Sequence, residues 1–165
     1  MTPALVVFDL DLTLWTCGNS IWCDCLTPPF FQDSQGRLSD REGSHIRLYQ
    51  DVPQILDALH QAGCKIGIAS RTSAPSWACQ LLELLGVAHR FDYQAIYPGD
   101  KQRHFRQLQE ESSVPLDAMV FFDDERRNIV SVGQLGVRCI EVSSGMHWEV
   151  FANTMKRYPM WDTIA

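Results

Sequence analysis

The 165-residue chain contains no apolar run approaching the about 18–20 residues that cross a bilayer, so no membrane helix and no membrane partner are expected. It opens on Met1-Thr2-Pro3-Ala4-Leu5-Val6-Val7-Phe8-Asp9 without a basic leader, a poor secretory signal that makes the cytoplasm the expected address. Lysine is scarce, with Lys65, Lys101 and Lys156 the full complement, and the formal net charge is −6. That balance argues against a nucleic-acid partner, because phosphate backbones demand a basic surface. Neither G-x-x-x-x-G-K nor G-x-G-x-x-G occurs, which removes the Gly-rich phosphate loops of nucleotide enzymes. Repeats, low-complexity tracts and linkers are missing as well, so residues 1–165 read as one compact domain.

Also missing is a C-x-x-C pair. The six cysteines stand at 17, 23, 25, 64, 79 and 139, and in a cytosolic setting they would be reduced. Cys17, Cys23 and Cys25 precede His45, but their spacing matches no common zinc pattern. Cys64, Cys79 and Cys139 lie inside apolar patterns and read as small core residues. What is present is ordinary globular material, 45% apolar and 21% charged.

Short apolar runs alternate with helical stripes. Ala4–Phe8, Lys65–Ala69, Tyr93–Tyr97, Ala118–Phe122 and Val137–Val142 predict five strands, the first of them apolar enough to be buried on both faces. Helices are predicted over Asp51–Gly63, after a cap at Thr72 or Ser73 with Pro75 in the first turn, over Lys101–Glu111, Asn128–Leu135, and Met146–Tyr158 before Pro159. In the second of these, Trp77, Leu81, Leu82 and Leu85 form the inward stripe. The alternation predicts an α/β fold: an open, mostly parallel five-stranded, Rossmann-like sheet with helices on both faces. Ligands of such sheets bind beyond the carboxyl ends of the strands. Residues 16–47 interrupt the alternation with turn formers and aromatics and predict a flap insertion, an irregular β-hairpin, over that edge.

Four strand ends carry reactive side chains. The first ends in Asp9-Leu10-Asp11-Leu12-Thr13, where carboxylates two residues apart in extended chain point to one side and repel unless a cation or proton intervenes. The second ends in Ser70-Arg71-Thr72 before a helix, a combination that either caps the helix or binds an anion. Lys101 follows the third, as an anion ligand or an exposed helix-start lysine. The fourth ends in Asp123-Asp124-Glu125, with Asn128 near enough to hydrogen-bond the cluster. Acids in that position suit a hard cation such as Mg²⁺, or a solvated loop at a helix start.

In this order the set resembles the haloacid dehalogenase superfamily of phosphatases. Its Asp-x-Asp-x-Thr corresponds to Asp9, Asp11 and Thr13, its hydroxyl to Ser70, its lysine to Lys101 and its last acids to Asp123 and Asp124. The stretches FDLDLTLW, DVPQILDAL, ASRTS, IYPG, HF, MVFFDDERRNI and VGQLGV resemble, more narrowly, the magnesium-dependent phosphatase 1 family, with the likeness thinnest over residues 16–35 and at the C-terminus. The resemblance implies the haloacid dehalogenase fold with strand order 5-4-1-2-3. It implies Mg²⁺ held by Asp9, the Asp11 backbone carbonyl and Asp123, attack by Asp9 on phosphorus, and Asp11 as general acid and base. Ser70 and Lys101 would bind phosphoryl oxygens. Arg71 would reach substrate or pair on the surface; Asp124 would ligate through water or orient its neighbours, with Thr13 and Asn128 behind the site. Implied substrates are small phosphate esters, sugar and fructosamine phosphates among them, or phosphotyrosine, with no obligate protein partner.

The nearest non-enzymatic alternative is a phospho-receiver domain, which uses similar groups but puts the adjacent acids after strand one and the phosphorylated Asp later. A dehalogenase of the same superfamily has little use for an acid at Asp11. In the flap, Trp15, Trp22, Phe30 and Phe31 either pack the insertion onto the domain or shape the substrate mouth.

Overall fold

The computed structural model describes residues 3–18 and 20–158. Pro159, expected as the stop after the last helix, lies outside them. Five strands form the main sheet: β1 (Leu5–Phe8), β6 (Lys65–Ser70), β7 (Tyr93–Ile96), β8 (Met119–Asp123) and β9 (Arg138–Glu141). Their order is β7-β6-β1-β8-β9 and every pairing is parallel. This is the expected order 5-4-1-2-3 read from the other edge.

Strand β1 is central and fully buried, and its side chains alternate between two cores. Val6 and Phe8 face a cluster shared with α1 (Val52–Gln61), α2 (Pro75–Leu84) and α5 (Trp148–Met155). Leu5 and Val7 face a second cluster with Phe105 and Leu108 of α3 (Lys101–Ser112) and Val132 of α4 (Arg126–Gly133). A strand with helices on both sides has no wet face, which is why its sequence is a continuous apolar run. Phe8 stacks on Phe122 at 5.4 Å between centroids, tying β1 to β8 just below the two catalytic candidates.

The insertion is more than a hairpin. β2 (Trp15–Cys17), β3 (Phe31–Gln32), β4 (Leu38–Ser39) and β5 (His45–Leu48) make an antiparallel sheet in the order β2-β5-β4-β3, with a 3₁₀ turn at Cys23–Cys25. β5 takes both neighbours, pairing Trp15 with Leu48 and Leu38 with Ile46. Asp40 organises the β4–β5 turn, its carboxylate accepting backbone N–H groups from Thr27, Glu42 and Ser44.

Two local expectations need correction. Helix α2 begins at Pro75 with Ala74 at the cap position, because Thr72 Oγ1 accepts the Ala74 N–H at 3.1 Å and holds the preceding turn open. Ser70 therefore precedes the helix by a loop instead of standing at its N-terminus. Cys79 is exposed and Cys139 half-buried, since α2 turns Ala78, Leu81 and Leu82 inward and Cys79 falls on the outer face; Cys64 is buried as expected.

Candidate active site

The strand ends meet in one cavity of about 210 Å³, lined among others by Asp9, Asp11, Ser70, Arg71, Lys101, Asp124 and Asn128. Asp9 continues β1, its N–H donating to Phe122 O at 3.0 Å. The chain then turns sharply: Leu10 O accepts the N–H groups of Thr13, Leu14 and Trp15, and Leu12 adopts φ +59°, a left-handed conformation unfavourable for a branched residue. Thr13 Oγ1, buried under the turn, lies 3.5 Å from Asp9 Oδ2 and 3.4 Å from Asp124 Oδ1.

Lys101 is the first residue of α3, a helix whose cap Asp100 accepts the Gln102 N–H at 2.7 Å. The lysine points inward, is 1% exposed, and places Nζ 2.6 Å from both Asp9 Oδ1 and Asp123 Oδ2. Burial works against its ammonium form, but Asp9 and Asp123 together hold its pKa above that of a free lysine. Asp123 is sealed from solvent and also accepts Asn128 Nδ2 at 3.0 Å and the Glu125 N–H at 2.7 Å. Asn128 in turn accepts from Arg71 Nη1 at 3.2 Å, which links the second and fourth strand ends. Arg71 Nε is, among the described residues, a buried side-chain nitrogen without a partner.

Asp9, Asp123 and Asp124 bring carboxylate oxygens within 4.8 Å of one another. One lysine against this many acids leaves a surplus of negative charge. Burial, and then the Asp123 charge, push Asp124 up to about 6, and burial raises Asp9 well above an ordinary carboxyl although Lys101 opposes it. An all-oxygen, over-acidic donor set of this kind fits a hard divalent cation such as Mg²⁺. Among the described residues the three cysteines beside His45 make no such cluster: Cys17 and Cys23 are buried, Cys25 and His45 exposed.

Asp11 is held differently. Its Oδ1 accepts the Trp15 indole N–H at 2.7 Å and the Cys23 backbone N–H at 2.9 Å, with the Cys17 thiol 3.7 Å away. All three donors belong to the flap. Burial raises the Asp11 pKa, and these hydrogen bonds only partly offset it. The sequence had marked Trp15 only as an aromatic of the insertion; its place four residues after Asp11 was the available signal. The cavity rim adds Thr72, Glu125 and Trp22, each marked in the sequence at a strand end or in the flap, and also Asp24 and Arg127, which the sequence did not single out. Asp24 ties the flap to the loop after β6 by accepting from Ser73 Oγ at 2.7 Å. Of the other flap aromatics, Phe30 packs edge-on to Trp77 of α2 at 6.5 Å, and Phe31 is exposed away from the cavity lining.

His104 was also missed, although the quoted HF stretch contains it. It is fully buried on α3 with Nε2 2.9 Å from Ser70 O and 2.7 Å from Tyr97 O, and its ring stacks on Tyr97. Three residues past Lys101, on the same inward side of the helix, it clamps the loop that presents the lysine to the strand that presents Ser70.

Comparison with known proteins agrees with this geometry. The acid phosphatase family model matches residues 1–160. Human magnesium-dependent phosphatase 1 is 44% identical over 157 residues, covering 94% of this chain and 87% of the relative. Among solved structures, a haloacid dehalogenase superfamily hydrolase from Ehrlichia chaffeensis superimposes with a TM-score of 0.70 at 14% identity, over 99% of this chain and 98% of that one. The N-terminal part of a Bacteroides fragilis protein, containing a phosphatase domain and complexed with Mg, gives 0.63 at 17% identity over 86% of this chain and 36% of that one. No helix among the described residues is long and apolar enough to cross a membrane. The sheet order, the acid cluster and these relatives agree: the chain belongs to the acid phosphatase family, as a magnesium-dependent phosphatase of the haloacid dehalogenase superfamily.

Proposed function

We propose that this phosphatase hydrolyses phosphomonoesters by transferring the phosphoryl group to Asp9 and then to water, with Asp11 as general acid and base. The observation that carries the reading is that Asp9 and Asp11 line one cavity in unlike surroundings, Asp9 against the Lys101 ammonium and Asp11 among neutral donors. An Asp9 oxygen bonds to phosphorus as the ester oxygen leaves. Asp11 gives its proton to that leaving oxygen and recovers one from the water that then attacks the aspartyl-phosphate. Lys101 Nζ and Ser70 Oγ bind phosphoryl oxygens, and Arg71, which lines the same cavity, reaches substrate beside them. Asp9, Asp123 and the Asp11 carbonyl, with Asp124 alongside, would hold Mg²⁺, which would supply Lewis-acid stabilisation of charge on the phosphoryl group. Asn128 and Thr13 fix the carboxylates that flank the reacting centre.

A cavity of about 210 Å³ is smaller than most drug-sized pockets. It encloses the phosphoryl group and the first atoms of the leaving group, while the remainder passes the Trp22 lip into solvent. That shape favours small phosphate esters, sugar and fructosamine phosphates included, and also admits a phosphotyrosyl side chain. A panel of such esters with and without Mg²⁺ tests the substrate class. Acid quenching during turnover tests the route: it is expected to trap a hydroxylamine-labile phosphate on the Asp9 peptide, and turnover by a folded Asp9→Asn protein near the wild-type rate would refute it.

A further inference from the structure

Asp11 presents two oxygens in contrasting states. Oδ1 receives two strong donors, the Trp15 indole at 2.7 Å and the Cys23 amide at 2.9 Å, with the Cys17 thiol as a third, weaker neighbour. An indole N–H and a backbone N–H only donate, so both lone pairs of Oδ1 are engaged and a proton placed there would collide with them. None of these three donors is placed on Oδ2, and Oδ2 is not a sealed, orphaned atom, since the one such side-chain atom among the described residues is Arg71 Nε. Asp11 is 8% exposed, and that exposure is to the cavity it lines. Trp15 itself is fully buried in the main core and paired with Leu48 across β2 and β5. Its ring is therefore fixed, and so is the direction of its N–H.

We propose that Trp15 is a positioning residue of the phosphoryl transfer: by occupying Oδ1 it confines the transferable proton of Asp11 to Oδ2, on the cavity side. This rests on the reading of Asp11 as the acid. In the first half-reaction the Asp9–phosphorus bond forms, the phosphorus–ester oxygen bond breaks, and the Oδ2 proton passes to the departing oxygen. In the second, a water oxygen bonds to phosphorus, its proton returns to Oδ2, and Asp9 is released with inorganic phosphate. The flap is then part of the acid–base apparatus as well as a wall, because a β2 side chain and the 3₁₀ turn behind it select the oxygen that carries the proton.

Trp15→Phe keeps a buried ring and removes the N–H. The expected result is a fall in kcat/KM, which reports the first half-reaction alone, of about 10-fold or more for an alkyl phosphate, whose leaving oxygen needs the proton, since misplacing a reacting group by about 1 Å costs up to about 10²-fold. For 4-nitrophenyl phosphate, whose phenolate leaves unprotonated, kcat/KM is expected to change less than about 3-fold. In an Asp11→Asn background the same substitution is expected to have no further effect on the alkyl ester, because its route of action is already gone. If Trp15→Phe does not fold, benzothienylalanine at position 15, which exchanges the N–H for sulfur at nearly constant shape, takes its place. Equal losses on both esters, or an undiminished loss in the Asp11→Asn background, would overturn the proposal while leaving Asp11 as acid if Asp11→Asn alone is leaving-group dependent. If Asp11→Asn slows both esters alike, the acid assignment falls and the role of Trp15 falls with it.

Discussion

Lys101→Met removes the buried ammonium while keeping most of the aliphatic stem, whose Nζ lies 5.2 Å from the Phe121 ring centroid. Two contacts at 2.6 Å disappear, to Asp9 and Asp123. With an effective dielectric near 20, each is a gross attraction of about 6 kcal/mol, most of it offset by the desolvation of three buried charges. Breaking such a pair from one side costs about 3–5 kcal/mol net. An independent limit agrees. The orphaned carboxylates can relax by binding one proton, and holding a carboxyl of ordinary pKa protonated at pH 7 costs about 4 kcal/mol. A chain of this size loses about 2–4 °C per kcal/mol, so the melting temperature in EDTA is expected to drop by about 8–16 °C. Excess Mg²⁺ is expected to raise the variant more than the wild type, because Asp9, Asp123 and Asp124 remain clustered and now lack their fixed cation. Thermal unfolding followed by circular dichroism, with EDTA and with Mg²⁺, provides the measurement. A Lys101→Met protein melting within about 2 °C of wild type in EDTA would mean that the ion triad is not formed, and the electrostatic reasoning would fail.

Asp9→Asn is expected to lower kcat by several orders of magnitude without loss of the folded circular-dichroism spectrum. Chelation is expected to abolish turnover and Mg²⁺ to restore it, whereas Ca²⁺ is expected to inhibit, since it takes more ligands at longer distances and engages both oxygens of a carboxylate; steady-state assays with each ion decide this, and equal activation by Ca²⁺ would require another donor set. Trp22, 45% exposed at the cavity lip, is expected on replacement by Ala to reorder kcat/KM among esters at constant melting temperature. Phe30, packed on Trp77, is expected on replacement by Ala to lose about 1–2 kcal/mol of stability and to scale all substrates together.

The main sheet was legible because its strands are buried on both faces, which writes them as apolar runs ending abruptly in polar residues. Leu5–Phe8 and Met119–Phe122 are examples, and the polar residue at each break is a candidate for the site. The flap was not legible at this level. Its strands are two to four residues long with mixed exposure, so no period is established within any one of them. Their pairing follows from tertiary register, β5 meeting both β2 and β4, which composition does not encode. The Trp15–Asp11 contact was hidden for a related reason. It depends on a turn that puts Leu12 at φ +59°, a conformation leucine seldom announces. Lys101 is the opposite case: its scarcity and place marked it, and only its complete burial was beyond reach of the sequence.

Two aspartates separated by a single residue would ordinarily titrate as a pair and share one role. Here the fold divides them by giving each a different kind of neighbour. Asp9 faces the parallel sheet and meets a fixed cation, Lys101, from the far side of β6. Asp11 faces the antiparallel flap and meets neutral donors from Trp15 and Cys23. A carboxylate beside an ammonium is favoured as an anion, the state a nucleophile requires, whereas a buried carboxyl served by neutral groups is the better proton carrier. Burial nonetheless raises Asp9, with Asp123 adding to it, and that residual cost is what a divalent cation on the Asp9, Asp123 and Asp124 oxygens would remove. The proposed division of labour is thus a consequence of topology: it needs a second, antiparallel layer on one side of the Asp9–Asp11 turn. Moving Trp15 and Cys23 off Asp11 would leave the acid cluster and Lys101 intact while blurring the distinction between nucleophile and acid.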